Sequence, residues 1–337
     1  MKRLNLCFLG FGNVGAALAR LLGKKSDELC EQYGIEWRIT GLATRRSGWL
    51  FDTNGFEVAS LLSGEALKGI SPAKSNVRDW LRAARADVLF ETTSLNPQTG
   101  QPAIDYLRAA LEHGAHAITA NKGAVVYGYR ELSALAKARG RRFMFEATVA
   151  DCLPVFALFR EALPAARLLG LSGILNSTTG VIIEEMERGR TFEEGVRRAQ
   201  ALGIAETDPG YDVDGWDAVV KVCALANVLM NVPLKPEEVE REGIRSLRAA
   251  EVCAARAAGR PFKLVSRAHR ADKDHLKASV RPEQVEQNGV LATVSGASLL
   301  VHFELDVLPG LTMIAHGPNL QSTAYGLLAD FINAVKD

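Results

Sequence analysis

Gly10-Phe11-Gly12-Asn13-Val14-Gly15 has the G-x-G-x-x-G spacing of a phosphate-cradling turn. Glycine permits a tight turn and lets a pyrophosphate approach the backbone, while a following helix offers unpaired N–H groups and its positive dipole end. The spacing alone is weak, and a merely tight strand–helix turn is the competing reading. Here it follows an apolar run and opens a helix, the context that turns it into a dinucleotide fingerprint. An acidic residue at the end of the second strand would hold the ribose 2′-hydroxyl of NAD, but the sequence there is Ala43-Thr44-Arg45-Arg46-Ser47. A guanidinium pairs with a 2′-phosphate, so the reading favours NADP, with NAD as the alternative and Arg45 placed ahead of Arg46. The bland reading is a surface arginine pair.

Three further stretches carry polar chemistry. In Glu91-Thr92-Thr93-Ser94-Leu95-Asn96, just past a third strand, Thr92, Thr93 and Ser94 are placed to meet a nicotinamide or ribose; ordinary loops contain the same residues. Thr119-Ala120-Asn121-Lys122-Gly123 puts a lysine at the carboxyl edge of a fourth strand, where burial or a second cation would suit it to acid–base work; most lysines are simply solvated. Between Glu206 and Lys221, the carboxylates Glu206, Asp208, Asp212 and Asp214 crowd a turn that leads into an apolar helix. They do not follow the EF-hand pattern, and helix-capping acids are the plain alternative. On that helix Asp217 and Lys221 are four apart among Ala218, Val219, Val220 and Val222. Such a pair is commonly a surface salt bridge, but apolar neighbours point to a partly buried site.

The elements needed to position these groups are legible as strands at 4–9, 37–43, 87–91, 115–120 and 143–146, alternating with helices at 16–22, 77–86, 102–113 and 130–139. That alternation predicts βαβ units and a parallel sheet, an α/β Rossmann-type nucleotide-binding domain. After about 150 the pattern becomes α+β, with helices at 154–163, 180–188, 192–202 and 215–231 and strands near 276–281, 290–295 and 298–308. Leu299, Val301, Phe303, Leu305 and Val307 alternate with Leu300, His302, Glu304 and Asp306, a half-buried strand that Pro309-Gly310 turns back into 311–315. The expected domains are 1–148 and 149–317, the second for substrate binding and dimerisation, with a last helix in 318–337 returning to the first.

The length of 337 residues fits about two domains. Forty basic and thirty-nine acidic residues leave a formal charge of +1. That balance excludes nucleic acid or an anionic membrane as the main partner, since both reward a basic excess. Five cysteines without a C-x-x-C pair fit a reducing, cytoplasmic setting. The start Met1-Lys2-Arg3 with the apolar run 4–9 is too short for a secretory signal and leads straight into the glycine turn.

Taken together, the glycine turn, Thr119-Ala120-Asn121-Lys122-Gly123, Gly173-Ile174-Leu175-Asn176-Ser177-Thr178-Thr179 and the run from Ala199 to Pro209 with Asp212, Gly215, Asp217 and Lys221 resemble homoserine dehydrogenase, in its short form without a regulatory domain. The resemblance covers most of the chain. It implies NAD(P)-linked interconversion of homoserine and aspartate 4-semialdehyde in threonine and methionine biosynthesis, by a homodimer acting on a small molecule. Carried over by position, Lys122 and Lys221 match the active-site lysines and Asp217 their acidic partner. Glu206 and Asp212 match residues for the substrate ammonium, and Thr178 a substrate-contacting threonine. A sodium-type site would use the backbone carbonyls of Glu146, Val149, Asp151 and Leu153. Two segments depart from the family pattern: Val149-Ala150-Asp151-Cys152-Leu153-Pro154 replaces a glycine-rich turn, and His316-Gly317-Pro318-Asn319-Leu320-Gln321-Ser322-Thr323 replaces a glycine-rich loop over the cofactor. Two alternatives stay open at this level: a dehydrogenase of the same fold acting on another hydroxy acid or hydroxy amino acid, and an NADP-binding sensor without catalysis.

Overall fold

The structure, a computed structural model, describes residues 2–65, 76–272 and 275–336; Met1 and Asp337, which bound the expected domains, lie outside them. The chain divides into two compact units, Met1–Pro154 with Leu320–Asp337, and Val155–Asn319.

The first unit is built on a six-stranded sheet of β1 (Lys2–Leu9), β2 (Ile35–Thr44), β3 (Gly48–Phe56), β4 (Val88–Glu91), β5 (His116–Thr119) and β6 (Phe143–Met144), in the order β3-β2-β1-β4-β5-β6. Its helices are α1 (Asn13–Lys24), α2 (Ser26–Tyr33), α3 (Val58–Ser63), α4 (Val77–Ala83), α5 (Ala103–His113) and α6 (Lys122–Ala138). Strands β2, β1, β4, β5 and β6 are parallel, and the continuous apolar runs of β1 and β4 follow from burial on both faces. Phe8 stacks against Phe90 at 5.1 Å between ring centroids, and Phe90 against Phe331 of the last helix (Leu320–Val335) at 5.8 Å. Full burial of Phe331 thus ties that helix into the core of this unit, worth about 3 kcal/mol relative to leaving the ring in water.

The sheet is not wholly parallel, as the strand–helix alternation predicted: β3 runs antiparallel to β2. Only Arg45, Arg46 and Ser47 separate the two strands, too few for a crossover helix, so a hairpin is the one connection possible. Thr44 Oγ1 accepts from the Ser47 N–H at 3.0 Å and closes that turn. Helix α6 begins at Lys122 rather than near 130; Gly123 and Gly128 lower its apparent propensity, but Asn121 caps it by accepting from the Gly123 N–H at 3.1 Å. Strand β6 is only Phe143–Met144, and Glu146–Thr148 forms a 3-10 turn.

The second unit holds α7 (Val155–Ala157), β7 (Leu168–Ile174), α8 (Ser177–Glu187), α9 (Phe192–Ala201), α10 (Gly210–Val213), α11 (Trp216–Leu225), β8 (Glu240–Arg241), α12 (Ala249–Ala257), β9 (Phe262–Arg270), β10 (Leu276–Gln284), β11 (Leu299–Leu305) and β12 (Leu311–Ala315). Its sheet order is β12-β11-β7-β9-β10-β8, antiparallel except for the short β8–β10 pair. The 311–315 return strand forms as predicted, pairing Leu300 with Ile314. The strand expected at 290–295 is instead a 3-10 turn, Val290–Thr293, that lowers Leu291 into a small core with Ile174, Val265 and Leu300. Val307 lies past the end of β11 and is 71 % exposed, so the period-two pattern overran the strand. Buried Leu300 breaks the half-buried pattern from the other face.

Candidate active site

In the first unit the glycine turn joins β1 to α1. Gly10 has φ +90°, and a Cβ there would sit 2.6 Å from the Thr92 carbonyl carbon and oxygen. Gly15 is equally tight, with its would-be Cβ 2.8 Å from the Gly10 oxygen, whereas a Cβ on Gly12 would meet nothing within 4 Å. The open side of the turn is therefore at Gly12, the N-cap of α1. No side chain caps that helix, and its first turn carries no acid, so its leading N–H groups and dipole are left for an anion. Gly10→Ala is expected to cost about 2–4 kcal/mol, from the left-handed φ and the backbone clash together, read as a fall in the urea midpoint. An unchanged midpoint would contradict the packing of Gly10 on Thr92.

The turn opens on a cleft of about 1090 Å³, whose walls include Gly10, Phe11, Gly12, Arg45, Arg46, Thr92, Thr93 and Ser94. Arg45 Nη2 donates to Ser94 Oγ at 3.3 Å, linking the ends of β2 and β4. Thr92 Oγ1 donates to the Gly10 carbonyl at 2.9 Å and so braces the turn. Three residues of the fingerprint are not on the wall: Asn13 is exposed, Val14 packs against the core, and Gly15 lies under Gly10. Lys122, half-buried at the start of α6, is not on it either. Trp49 and Tyr106, which sequence reasoning did not single out, do line the cleft, in edge-to-face contact at 5.9 Å. The helix expected at 102–113 marked Tyr106 only as a helical residue, and no strand was expected at Trp49.

These features fit a dinucleotide: an uncapped helix end behind a glycine turn, hydroxyls at the β4 terminus, and two guanidiniums where an NAD-binding chain places a carboxylate.

The second unit assembles the other polar group. Asp217 and Lys221, one turn apart on α11, form an ion pair at 2.9 Å, with side chains 11 % and 13 % exposed. Lys221 Nζ also donates to the Leu175 carbonyl at 2.6 Å, just past β7. Asn176 caps α8 by accepting from the Thr179 N–H at 2.8 Å, and its Nδ2 donates to Asp217 at 2.9 Å and Asp212 at 2.7 Å. Thr178 Oγ1 donates to Asp212 at 3.0 Å. Burial pushes the Asp212 carboxyl up, and the Asp217 charge adds to this; the bonds from Asn176 and Thr178 and the Lys221 charge work against it. An arriving ammonium would favour the ionised form.

Of the residues picked out by sequence, the structure thus gathers Thr178, Asp212, Asp217 and Lys221. Glu206 stays exposed, without a side-chain hydrogen bond among the described residues. Asp208 turns to the Gly210 N–H and Asp214 to Arg245, the capping and pairing roles of the plain alternative. Asn176 stood in the sequence without a role; the Asn–x–x–Thr spacing at a helix start is an N-cap signal, but its second bond to two carboxylates has no local signature.

The 146–153 segment keeps Ala150 and Asp151 at φ 55° and 60° despite their side chains, a left-handed pair costing about 1 kcal/mol per residue or more. The Thr323 hydroxyl, donating to Asp151 Oδ1 at 2.5 Å, helps hold it. The segment's own backbone bonds use the carbonyls of Phe145 and Ala150, not those of Val149, Asp151 or Leu153.

The family model described as homoserine dehydrogenase matches residues 154–332, and the one described as its NAD-binding domain matches residues 10–146. The NAD(+)-dependent homoserine dehydrogenase of Pseudomonas canavaninivorans is 34 % identical over 99 % of this chain and 96 % of its own. This chain belongs to the homoserine dehydrogenase family. It is accordingly an NAD(P)-dependent oxidoreductase acting on a CH–OH group, with a Rossmann-type domain and a catalytic α+β domain. Among solved homoserine dehydrogenases, that of Thiobacillus denitrificans is similar with a TM-score of 0.83 and 30 % identity, over all of this chain and 74 % of its own. A hyperthermophilic archaeal homoserine dehydrogenase mutant in complex with NADPH has a TM-score of 0.82 at 26 % identity, over 99 % of this chain and 98 % of its own. The resemblance read from the four sequence motifs is thereby shown.

Proposed function

We propose that this chain interconverts L-homoserine and L-aspartate 4-semialdehyde with NADP as its preferred cofactor, in threonine and methionine biosynthesis. The observation that carries the reading is the Lys221–Asp217–Asn176–Asp212 network, an amine held by one carboxylate beside a second carboxylate. The nicotinamide, when bound, accepts or returns the hydride at the substrate's terminal carbon. Of Lys122 and Lys221, the one kept neutral by the other's charge takes the hydroxyl proton during oxidation and returns it to the carbonyl oxygen in reverse. Asp217 orients Lys221. Asp212 and Glu206 receive the substrate ammonium and Thr178 contacts the substrate, all three in the form of charge-assisted or hydroxyl hydrogen bonds. The N-terminus of α1 behind Gly10-Phe11-Gly12-Asn13-Val14-Gly15 takes the pyrophosphate, Thr92, Thr93 and Ser94 the nicotinamide side, and Lys122 borders the cofactor.

The preference for NADP rests on Arg45 and Arg46. Relatives of both kinds exist, an NAD(+)-dependent enzyme and one complexed with NADPH, so the family alone does not decide it. What supports NADP is two guanidiniums on the cleft wall at the end of β2 with no carboxylate beside them in that turn. Arg45→Ala should weaken NADPH binding about tenfold, the loss of one charge-assisted bond, and leave NADH nearly unchanged. Fluorescence titration of both cofactors reads this; an unaltered NADPH-to-NADH affinity ratio means the 2′-phosphate is held elsewhere.

The proposal includes a monovalent cation such as sodium on the carbonyls of Glu146, Val149, Asp151 and Leu153. Its support is that three of these carbonyls lie outside the segment's own backbone bonding. It also includes a cytoplasmic homodimer. No helix among the described residues is long and apolar enough to cross a membrane.

A further inference from the structure

Glu91, the last residue of β4, is fully buried and has no ion-pair partner among the described residues. A carboxylate in such a place is costly unless its oxygens are fully hydrogen-bonded. Oε1 accepts from the Thr93 N–H at 2.8 Å and from the Thr93 hydroxyl, while Oε2 accepts from the Thr119 hydroxyl at 2.6 Å. Thr119 Oγ1 in turn accepts from the Asn121 N–H at 2.9 Å, and Asn121 caps α6, whose first residue is Lys122. Asn121 Nδ2 also reaches back to the Thr93 carbonyl at 3.4 Å. One oxygen therefore holds the loop on the cleft wall, and the other holds the turn that carries the lysine. Burial pushes the Glu91 carboxyl up, and these hydrogen bonds pull against that. An ionised carboxylate accepts on both oxygens at once, so this one side chain serves both sides.

We propose that Glu91 is a positioning residue for the reaction, clamping the Thr93–Ser94 wall of the cofactor cleft and the Asn121–Lys122 turn to a single anion. It rests on the role assigned above to Lys122. Its two arms are separable. Thr119→Val removes the lysine arm alone, and Thr119→Ser keeps it; Glu91→Ala removes both. In the full-length protein, Thr119→Val is expected to lower homoserine turnover about tenfold or more, with the NADPH dissociation constant within about twofold of wild type. Thr119→Ser should restore turnover. Glu91→Ala should both slow turnover and weaken NADPH binding, the latter by about tenfold. Turnover per folded molecule at wild-type level in Thr119→Val, or equal losses in Thr119→Val and Thr119→Ser, would overturn the clamp. NADPH titration and melting temperature are read without any substrate. A wild-type chain inactive on homoserine would therefore refute the proposed reaction, while unweakened NADPH binding by Glu91→Ala would refute the clamp.

Discussion

Lys221→Ala is expected to lower homoserine turnover by about a hundredfold or more, and Lys122→Ala to do the same, the usual loss when a positioned acid–base group is removed. For Lys221 the argument is geometric. Its amine is fixed by Asp217 and the Leu175 carbonyl on a helix whose neighbours are apolar, and its side chain is 13 % exposed. Water entering an alanine-sized gap would have neither the basicity nor the fixed position of the amine. The variant also leaves Asp217 without its cation, although Asn176 still donates to it. Turnover must therefore be compared per folded molecule, from NADPH formation with saturating homoserine alongside circular dichroism. Wild-type rates in either variant would remove that lysine from the proposed role.

Asp217→Ala should be the second large effect, and it reaches stability as well as rate. The Lys221 ammonium would keep the Leu175 carbonyl but lose the Asp217 carboxylate. Breaking a mostly buried pair by removing one member costs about 3 kcal/mol, at the low end of the usual range because one hydrogen bond survives. Asn176 Nδ2 would still bond Asp212, so α8 keeps its cap and the loss stays local. Turnover should fall by about a hundredfold, because an amine free to rotate no longer meets the hydroxyl in line. Asp217→Asn, which keeps the shape and loses the charge, should lie between wild type and Asp217→Ala on both measures. Urea unfolding and steady-state kinetics read the two. Wild-type stability in Asp217→Ala would show that the pair is a surface ornament of α11.

Much of this was legible from the chain because local pattern and tertiary role coincide. The run 4–9 followed by the glycine turn reads as a strand that opens a helix, and Asp217 and Lys221 share a helix face by spacing alone. The parts that were not legible depend on partners distant in sequence. Strand β7 contains Gly170 and Gly173, which weaken its strand signal; a Cβ on Gly173 would meet the Leu300 carbonyl at 2.8 Å, so its use is close approach to β11. Strand β9 carries Lys263, Arg267, His269 and Arg270, yet Lys263 is buried opposite Glu283 of β10, and Arg267, which faces Ser279, reaches along the strand to that same Glu283; no local pattern shows this. In the site, the four acids near 206–214 look alike in sequence. Distance from Asn176 and Thr178 separates Asp212 from the others, and no local rule gives that distance. Glu91 looked like the start of a hydroxyl-rich loop; its link to Thr119 spans 28 residues.

The proposed function rests most heavily on Lys122 and Lys221 serving one proton transfer. The direct measurement is a double-mutant cycle on homoserine turnover with wild type, Lys122→Ala, Lys221→Ala and the combined variant, each checked for folding and NADPH binding. Two groups acting as a unit give a combined loss close to that of the worse single variant. Losses that multiply, so that the combined variant falls by the product of the two single factors, would contradict it.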